Sequence, residues 1–174
     1  MIFESQRLVA RRFTEGDLEA FVAMRADPEV ARYQSWENYT AEDGAKRYQE
    51  LQSRNPAQPG WFQFALENKD TGAFIGDCGL KILESDNRLA EIGYTFIRAN
   101  WNKGYASEII AALTAYAFAS SPVHRITASV DPENIGSCRA LEKAEYRREA
   151  LFRQSIWFKG RWADDAIYAK LRAD

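Results

Sequence analysis

Residues 101–107, WNKGYAS, combine residue types that can hold a phosphate group. A strand is predicted to end before them, and an apolar helix to begin at about Tyr105 or Ala106. The first N–H groups of a helix have no partners within the helix, and the helix dipole adds partial positive charge, so such an end attracts anions. Gly104 would let a phosphate approach the backbone closely, and Lys103 would add a full charge. The alternative is an ordinary helix entry, because a single glycine before a helix is common.

The segment matches neither of the two common glycine-rich nucleotide motifs. It lacks the G-x-x-x-x-G-K-[ST] pattern of the P-loop and the G-x-G-x-x-G pattern of dinucleotide-binding folds. Phosphate binding here would therefore rely on backbone amides and need no metal ion.

Metal-ligating and nucleophilic residues are sparse. His124 is the only histidine, and Cys78 and Cys138 are far apart without C-x-x-C spacing. This pattern predicts reduced thiols in a core and no metal site. A Cys-His nucleophilic pair stays open as an alternative, but no local motif supports it.

Length and composition indicate one folded domain over residues 1–174. The chain is 46% apolar and 28% charged, with five Trp, eight Tyr and ten Phe. Its formal net charge of -2 argues against nucleic acids and anionic membranes as partners. The N-terminal residues do not read as a signal peptide, and the longest apolar stretch, 109–119, is about half of what a bilayer span requires. We therefore expect a cytoplasmic protein.

Hydrophobic periodicity predicts an α/β or α+β domain with a mixed, mostly antiparallel sheet of about six to seven strands and about four helices. The predicted helices cover residues 14 or 17 to 27, 40–54, 104–120 and 134–143. The predicted strands cover residues 7–13, 61–68, 72–85, 88–97, 125–130, 146–152 and 162–170. Short turn-forming clusters between the three middle strands predict antiparallel hairpins. The helix over 104–120 is apolar almost all round, which predicts a buried helix.

Four segments, in this order, resemble the GNAT superfamily of acetyl-CoA-dependent N-acetyltransferases. They are ESQRLVARRFTEGD, AEIGYTFIRANWNKGYASEII, HRITASVDPENIGSCRALEKAEY and GRWADDAIYAKL. Within the superfamily they look most like the Rim-type group, whose founding members acetylate the N-termini of ribosomal proteins. The resemblance covers nearly the whole chain, and residues 30–60 are the least distinctive part. It implies an acyltransferase with acetyl-CoA as co-substrate and no metal.

The resemblance also implies which residues contact acetyl-CoA. Those of the loop, which would hold the pyrophosphate, are Asn102, Lys103, Gly104, Tyr105, Ala106 and Ser107. Those of the preceding strand, which would pair with the pantetheine arm through their backbone, are Tyr94, Thr95 and Phe96. Asn134 matches an Asn that contacts the cofactor near its reactive end. Two positions depart from the family pattern: Trp101 stands where Gln or Arg is usual, and Glu145 where Gly is more frequent.

Two catalytic residues follow from the same resemblance. Ser137 matches a position near the thioester sulfur and would act as the acid, although Ser in a first helical turn is also a common cap. Asn134 can likewise cap the helix that it opens. Glu91 is the candidate general base, or alternatively a strand-surface residue. Glu108 is the second candidate base, but the helix dipole already explains an acid in the first turn.

The implied reaction is direct attack of a primary amine on the thioester carbonyl. The leading acceptor is an N-terminal α-amine of a protein or peptide, since its pKa of about 7.7 to 8.0 leaves it partly neutral at pH 7. Alternatives are a small amine such as a polyamine, amino sugar or aminoglycoside, or a non-catalytic acyl-CoA sensor. Trp36, Tyr39 and Trp61 either line the acceptor site or belong to the core. The segment FKGRW (158–162) is either a flexible hairpin over that site or a connector, and the protein is either a monomer or a homodimer.

Overall fold

The computed structural model describes residues 1–174 as one eight-stranded sheet with helices on both faces. The strands are β1 (Phe3–Glu4), β2 (Leu8–Arg11), β3 (Gly60–Asn68), β4 (Phe74–Ile82), β5 (Leu89–Phe96), β6 (Arg125–Val130), β7 (Arg147–Phe158) and β8 (Arg161–Leu171). The α-helices are α1 (Leu18–Ala26), α2 (Pro28–Ala31), α3 (Ala41–Gln52), α4 (Tyr105–Ser120) and α5 (Ile135–Lys143). The strand order is β1-β2-β3-β4-β5-β6-β8-β7, and β5 with β6 is the one parallel pair. The α/β class and the mostly antiparallel sheet are thus confirmed.

The predicted numbers of strands and helices were too low. The structure has eight strands and five α-helices, and the additional elements are β1, of two residues, and α2, of four. Neither is long enough to show a hydrophobic period. Two local features start α2: the Asp27 side chain accepts a hydrogen bond from Glu29 N, and Pro28 occupies the first helical turn. The Asp-Pro pair therefore ends α1, as predicted, and also begins α2.

The β7–β8 hairpin is longer than predicted. Its turn consists of Lys159 and Gly160 alone, both with positive φ (48° and 79°), as a tight hairpin turn requires. Phe158 pairs with Arg161 across this turn, so most of FKGRW is strand. The prediction missed this because the aromatic and charged residues there alternate irregularly around a bulge between Phe152 and Ile156.

Two apolar clusters lie on opposite faces of the sheet. The larger one contains Ile109 and Leu113 of α4 together with Phe64 of β3. The smaller one contains Phe21 of α1 and Ala65 of β3. Since neighbouring residues of a strand point to opposite faces, α4 and α1 cover different sides of the sheet. The predicted burial of α4 holds for one side of the helix, and its other side is partly covered or exposed.

Parallel pairing between β5 and β6 is short. The register joins Leu89 with Arg125, Ala90 with Ile126 and Glu91 with Thr127, and there the ladder ends. The two strands diverge beyond this point, because β5 continues beside β4 as far as Phe96, while β6 continues beside β8. A cleft opens in the sheet where they separate.

The turn after α5 takes a conformation that favours glycine. Glu145 has a φ of +64°, and its carboxylate accepts a hydrogen bond of 2.9 Å from Lys170 Nζ. A left-handed backbone at a residue with a Cβ costs on the order of 1 to 2 kcal/mol. The chain thus adopts the turn that glycine would favour, at some cost in stability.

A buried acid near the N-terminus makes stability depend on pH. Asp17 accepts hydrogen bonds from two Arg11 nitrogens, at 2.7 and 2.9 Å, and from Thr14 N at 2.7 Å. Burial acts to raise the pKa of Asp17, but these donors together hold it below its ordinary value. A lowered pKa in the folded state stabilises the protein above the unfolded-state pKa of about 3.9, and that stabilisation is lost as the pH falls through the folded-state pKa.

We expect Asp17→Asn to lower the free energy of unfolding at pH 7 by about 2 kcal/mol, the scale of a hydrogen bond to a charged group. The difference from wild type should shrink as the pH is lowered through the acid range. Urea unfolding at several pH values measures both effects, with the exposed Asp70→Asn as the control. A deficit that stays constant down to acid pH would contradict the assigned role of the Asp17 carboxylate.

Candidate active site

The cleft between the diverging ends of β5 and β6 has a volume of about 680 Å³. It is lined by Ile92–Phe96 of β5 and by Ala128–Asp131 at the end of β6. The facing strand edges have no strand partner there. Such an edge can form backbone hydrogen bonds with an extended ligand that carries amide groups, as if the ligand were an added strand.

The N-terminus of α4 forms one end of the cleft. Gly104 precedes the helix in the left-handed conformation (φ +79°), and no side chain caps the helix. The N–H groups of Tyr105, Ala106 and Ser107 have no acceptor within the protein. Three unpaired donors at a helix N-terminus attract an anionic group.

Most of the loop residues singled out from the sequence line this end. They are Asn102, Gly104, Tyr105, Ala106 and Ser107. Lys103 does not line the cleft, and its Nζ lies at the surface 3.4 Å from Asn100 Oδ1. The backbone of the loop, more than its lysine side chain, faces the cleft.

Arg7 holds the loop in place. Its guanidinium donates to Glu108 Oε2 (2.7 Å) and to the Lys103 carbonyl (3.0 Å), and it lies 4.4 Å from the centre of the Tyr105 ring. Sequence reasoning did not assign this role, because it depends on a contact between residues about a hundred positions apart. The segment between β1 and β2 is thereby connected to the end of the cleft.

Glu108 is bound by neighbouring donors and does not line the cleft. Its carboxylate accepts from the Ser5 hydroxyl at 2.6 Å and from Arg7 N at 2.7 Å. Burial acts to raise the pKa of Glu108, but the bonds from Ser5 and Arg7 hold it below its ordinary value. These contacts give Glu108 a structural role, and we do not retain it as a candidate base.

Trp101, which departs from the family pattern, braces the end of β5. Its Nε1 donates to the Phe96 carbonyl at 2.9 Å, and the residue, which is 41% exposed, lines the cleft. The Phe96 ring is stacked with Tyr105 at 6.3 Å between centroids. Trp101 therefore connects the strand to the loop that follows it. Thr95 and Phe96, which the resemblance singled out, both line the cleft.

Asn134, Ser137 and Tyr94 meet in the middle of the cleft, and all three line it. The Asn134 side chain caps α5 by accepting a hydrogen bond of 3.2 Å from Ser137 N. The Ser137 hydroxyl lies 2.7 Å from the Tyr94 hydroxyl. The predicted capping role of Asn134 is thus confirmed, and the Ser137 hydroxyl is free of any bond to its own helix.

Glu91 lies apart from this group. Its carboxylate is 3.3 Å from Lys81 Nζ on the neighbouring strand, and the residue does not line the cleft. Because Glu91 is an odd number of residues from Tyr94 along β5, the two side chains point to opposite faces of the sheet. The structure therefore does not bring the candidate base together with Ser137.

The three aromatic residues considered for an acceptor site do not line the cleft either. The ring of Trp36 lies 3.8 Å from the Arg25 guanidinium, and its Nε1 donates to the Arg25 carbonyl. Tyr39 packs beside Trp36, with 6.2 Å between ring centroids. The Trp61 ring lies over Gly79 and Gly93 of the sheet. It is so close to Gly79 that a Cβ atom at that position would lie 3.2 Å from the ring. The alternative that these rings are packing residues is the one that the structure supports.

The far end of the cleft lies between α2 with the turn after it and the β7–β8 hairpin. Lys159 at the hairpin turn donates to the carbonyls of Ala31 (2.6 Å) and Trp36 (2.9 Å). The segment FKGRW is thus neither loose nor a plain connector, because its turn is bound to the last residue of α2 and to the chain that follows. Residues from these elements that line the cleft are Glu29, Val30, Arg32, Tyr33, Gln34, Ile156, Phe158, Ala163, Asp164 and Asp165.

The lining carries charges of both signs, and Arg32 is a cation at the far end. At the far end, Asp131 pairs with Arg161 (3.2 Å), Asp164 accepts from Gln154 N (2.8 Å) and Asp165 accepts from Ser129 Oγ (2.6 Å). Glu29 is the one carboxylate of this lining that no protein donor holds. On α5, two exposed cations, Arg139 and Lys143, line the cleft. Sequence reasoning missed Glu29, Arg139 and Lys143, which carry no motif.

Comparison with known proteins identifies the family. Residues 7–147 match the family model described as the acetyltransferase (GNAT) domain. Among curated proteins, the chain is 32% identical to the uncharacterized N-acetyltransferase p20 of Bacillus licheniformis, with 98% of this chain and 96% of that protein covered. Among solved structures, a GNAT-family acetyltransferase from Bacillus anthracis has a TM-score of 0.88 at 29% identity, and 99% of each chain is covered.

Two more distant structures share the fold. Spermidine N-acetyltransferase from Vibrio cholerae, in complex with CoA and spermine, has a TM-score of 0.83 at 21% identity, with 96% of each chain covered. Ribosomal-protein-S5-alanine acetyltransferase from Vibrio fischeri has a TM-score of 0.82 at 20% identity, covering 99% of this chain and 97% of that one. The same fold thus serves acceptors of two kinds.

None of the helices described here combines the length and apolarity that a membrane crossing needs.

Proposed function

The chain belongs to the GNAT acetyltransferase family, and from this premise we propose that it transfers the acetyl group of acetyl-CoA to the α-amino group of a peptide or protein. The observation that carries the proposal is the cleft itself. It begins at unpaired N–H groups at the start of α4, passes the Ser137 hydroxyl and ends at an acidic region beside α2. One ligand with a phosphate end and a reactive end fits this order of groups, and an amine can approach from the far end.

The residues of the cleft suit coenzyme A in charge and shape. The free N–H groups of Tyr105, Ala106 and Ser107 offer donors to the pyrophosphate, and Arg139 and Lys143 offer positive charge to a further phosphate. The unpaired edge of β5 can bond to the amide groups of the pantetheine arm. We keep Asn102, Asn134 and the β5 residues Tyr94 to Phe96 in this binding set, and Lys103 as a more distant charge.

The proposed reaction is direct transfer. The amine nitrogen forms a bond to the thioester carbonyl carbon, the C–S bond breaks, the sulfur leaves as a thiolate and the amine proton passes to solvent. A backbone N–H of β5 is proposed to stabilise the oxyanion, and the Ser137 hydroxyl to donate to the leaving sulfur. Holding both substrates in place can supply on the order of 7 to 11 kcal/mol of the acceleration.

An α-amine suits this site better than an alkyl amine, because the cleft holds no histidine and its one carboxylate without a protein donor, Glu29, is exposed to solvent. The aspartates near the acceptor end are each held by a donor, and the single histidine, His124, does not line the cleft. An amine of pKa about 7.7 to 8.0 loses its proton readily at neutral pH, whereas a lysine-like amine near 10.4 needs a base. The ribosomal-protein acetyltransferase among the structural neighbours supports this acceptor and, with it, the Rim-type subgroup.

A polyamine is the second candidate acceptor, favoured by the acidic far end of the cleft. Glu29 lies there without a protein donor, and Asp164 and Asp165 add negative charge. Arg161 offsets Asp131, and Arg32 is the one cation of the lining at this end. Such a region attracts a second cationic group of an extended amine. The neighbour crystallised with spermine supports this alternative.

Glu29→Gln separates the two acceptors. If the acceptor is a polyamine, we expect its KM to rise by about fivefold, equivalent to roughly 1 kcal/mol for an exposed charge pair. The KM for acetyl-CoA should not change, since Glu29 lies at the other end. Steady-state kinetics with spermidine and with an alanine-initiated peptide measure the two values, and Glu37→Gln, on an exposed loop residue outside the cleft, is the matched control. Equal effects of both substitutions would remove Glu29 from acceptor binding.

The test of the proposed function is release of free thiol from acetyl-CoA across a panel of amines. The panel contains peptides with different N-terminal residues, polyamines, amino sugars and aminoglycosides. We expect the highest kcat/KM with a peptide. Preference for a polyamine would replace the proposed acceptor by the second candidate. Binding of acetyl-CoA without turnover of any amine would overturn the catalytic proposal in favour of a sensor.

A further inference from the structure

Two hydroxyl groups from separate elements meet in the middle of the cleft. Tyr94 Oη, on β5, lies 2.7 Å from Ser137 Oγ, in the first turn of α5. Building on the proposed function, we propose that Tyr94 is a positioning residue: its hydroxyl donates to Ser137 Oγ and so directs the Ser137 proton towards the leaving sulfur. Neither residue can do this alone, because a serine hydroxyl rotates freely unless a partner fixes it.

The geometry allows either hydroxyl to donate, and we assign the donor role to Tyr94. Burial raises the pKa of Tyr94 to about 12, so the phenol keeps its proton at neutral pH. That proton has two acceptors within reach, Ser137 Oγ at 2.7 Å and the Ser137 carbonyl at 3.4 Å. The hydroxyl oxygen is the nearer one. When Ser137 Oγ accepts from Tyr94, its own hydrogen is left for a different acceptor.

Ser107 is a second serine in the first turn of a helix, and its hydroxyl has a different partner from that of Ser137. Ser107 occupies the first turn of α4, and its hydroxyl donates back to the Gly104 carbonyl at 3.1 Å. Serine hydroxyls in helices commonly bond to their own backbone in this way. Ser137 makes no such bond, and Tyr94 is the one protein partner of its hydroxyl. The contact with Tyr94 thus keeps the Ser137 hydroxyl available to a ligand in the cleft.

The pair has a defined part in the transfer. As the C–S bond breaks, the electron pair stays on sulfur, and the Ser137 hydroxyl hydrogen-bonds to the developing thiolate. Negative charge on sulfur polarises Ser137 Oγ, and this strengthens the bond that Oγ accepts from Tyr94. Both hydroxyls keep their protons, and the thiolate is protonated later by solvent. Removing the phenol oxygen should therefore weaken the step at Ser137 and nothing before it.

The first experiment is Tyr94→Phe, which keeps the ring and removes the hydroxyl. We expect kcat to fall about tenfold, the equivalent of one hydrogen bond, with the KM for acetyl-CoA within about twofold of wild type. In a Ser137→Ala background the same substitution should cause no further loss of kcat. Tyr116→Phe, on a ring stacked with Phe3 away from the cleft, is the matched control and should leave kcat unchanged. Equal losses of kcat in the two backgrounds would overturn the proposal.

The second experiment needs no acceptor. The pKa of the thiol of bound coenzyme A is measured from thiolate absorbance in the ultraviolet against pH. Donation from Ser137 stabilises the thiolate, so Tyr94→Phe should raise this pKa part of the way towards the Ser137→Ala value. An unchanged thiol pKa in Tyr94→Phe would overturn the positioning role alone. If wild-type protein did not bind coenzyme A, the proposed function and the positioning role would both be wrong.

Discussion

Gly104→Val is expected to weaken acetyl-CoA binding by about 100-fold or more, which corresponds to roughly 2.7 kcal/mol. Gly104 has a φ of +79°, and a β-branched residue adopts such a backbone only at a cost of about 1 to 3 kcal/mol. We expect the backbone to rotate to relieve that strain, which would turn the N–H groups of Tyr105 and Ala106 away from the cleft. The added Cβ itself would meet only Arg7 Nη2, at 3.5 Å, so the fold should survive.

Binding is measured by titration and by the rise in melting temperature with acetyl-CoA. The matched control is Gly72→Val, because Gly72 also has a positive φ (+68°) but lies in a turn with open space around it and outside the cleft. Both variants carry the same kind of strain, and only Gly104→Val should lose binding. Dephospho-coenzyme A and adenosine should stabilise wild-type protein progressively less than acetyl-CoA. Wild-type affinity in Gly104→Val would mean that the phosphates bind elsewhere.

Ser137→Ala is expected to lower kcat by about 100-fold, as loss of an electrostatic donor or acid does at other transfer sites. The KM for acetyl-CoA should change little, because the donor matters when the C–S bond breaks and less in the ground state. The substitution removes the hydroxyl that lies 2.7 Å from Tyr94, whereas the Asn134 cap, which uses Ser137 N, is kept.

Steady-state kinetics with the best amine of the panel measure this effect. Ser120→Ala, in the last turn of α4 and outside the cleft, is the control for loss of a serine hydroxyl in a helix. Ser137→Thr keeps the hydroxyl and should recover part of the rate. A kcat equal to wild type in Ser137→Ala would remove this residue from the catalytic step.

Local sequence patterns were sufficient for most elements. The start of α3 is an example, because Thr40 and Asp43 form the capping box that begins the helix, and this depends only on neighbouring residues. Elements of two to four residues, such as β1 and α2, were missed because no hydrophobic period can develop over that length. The β7–β8 hairpin was underestimated because a bulge interrupts its alternation.

Glu91 shows the limit of reasoning along the chain. It is only three residues from Tyr94, and proximity in sequence suggested that both serve one site. In a strand, residues an odd number apart point to opposite faces, and pairing with Lys81 holds Glu91 away from the cleft. Glu29 lies about a hundred residues from Ser137, yet both line the same cleft.

The sequence by itself determined the helix starts, the middle hairpins, the glycine before α4 and the cap at Asn134, because each depends on residues a few positions apart. Only the tertiary structure decided that β5 and β6 separate after three paired residues and open the cleft. It also decided that Tyr94 meets Ser137, that Arg7 binds the loop before α4 and that Lys159 binds the carbonyls of Ala31 and Trp36. These contacts join residues between about 40 and 130 positions apart, and they form because burial of two apolar faces brings the elements together, which no local pattern encodes.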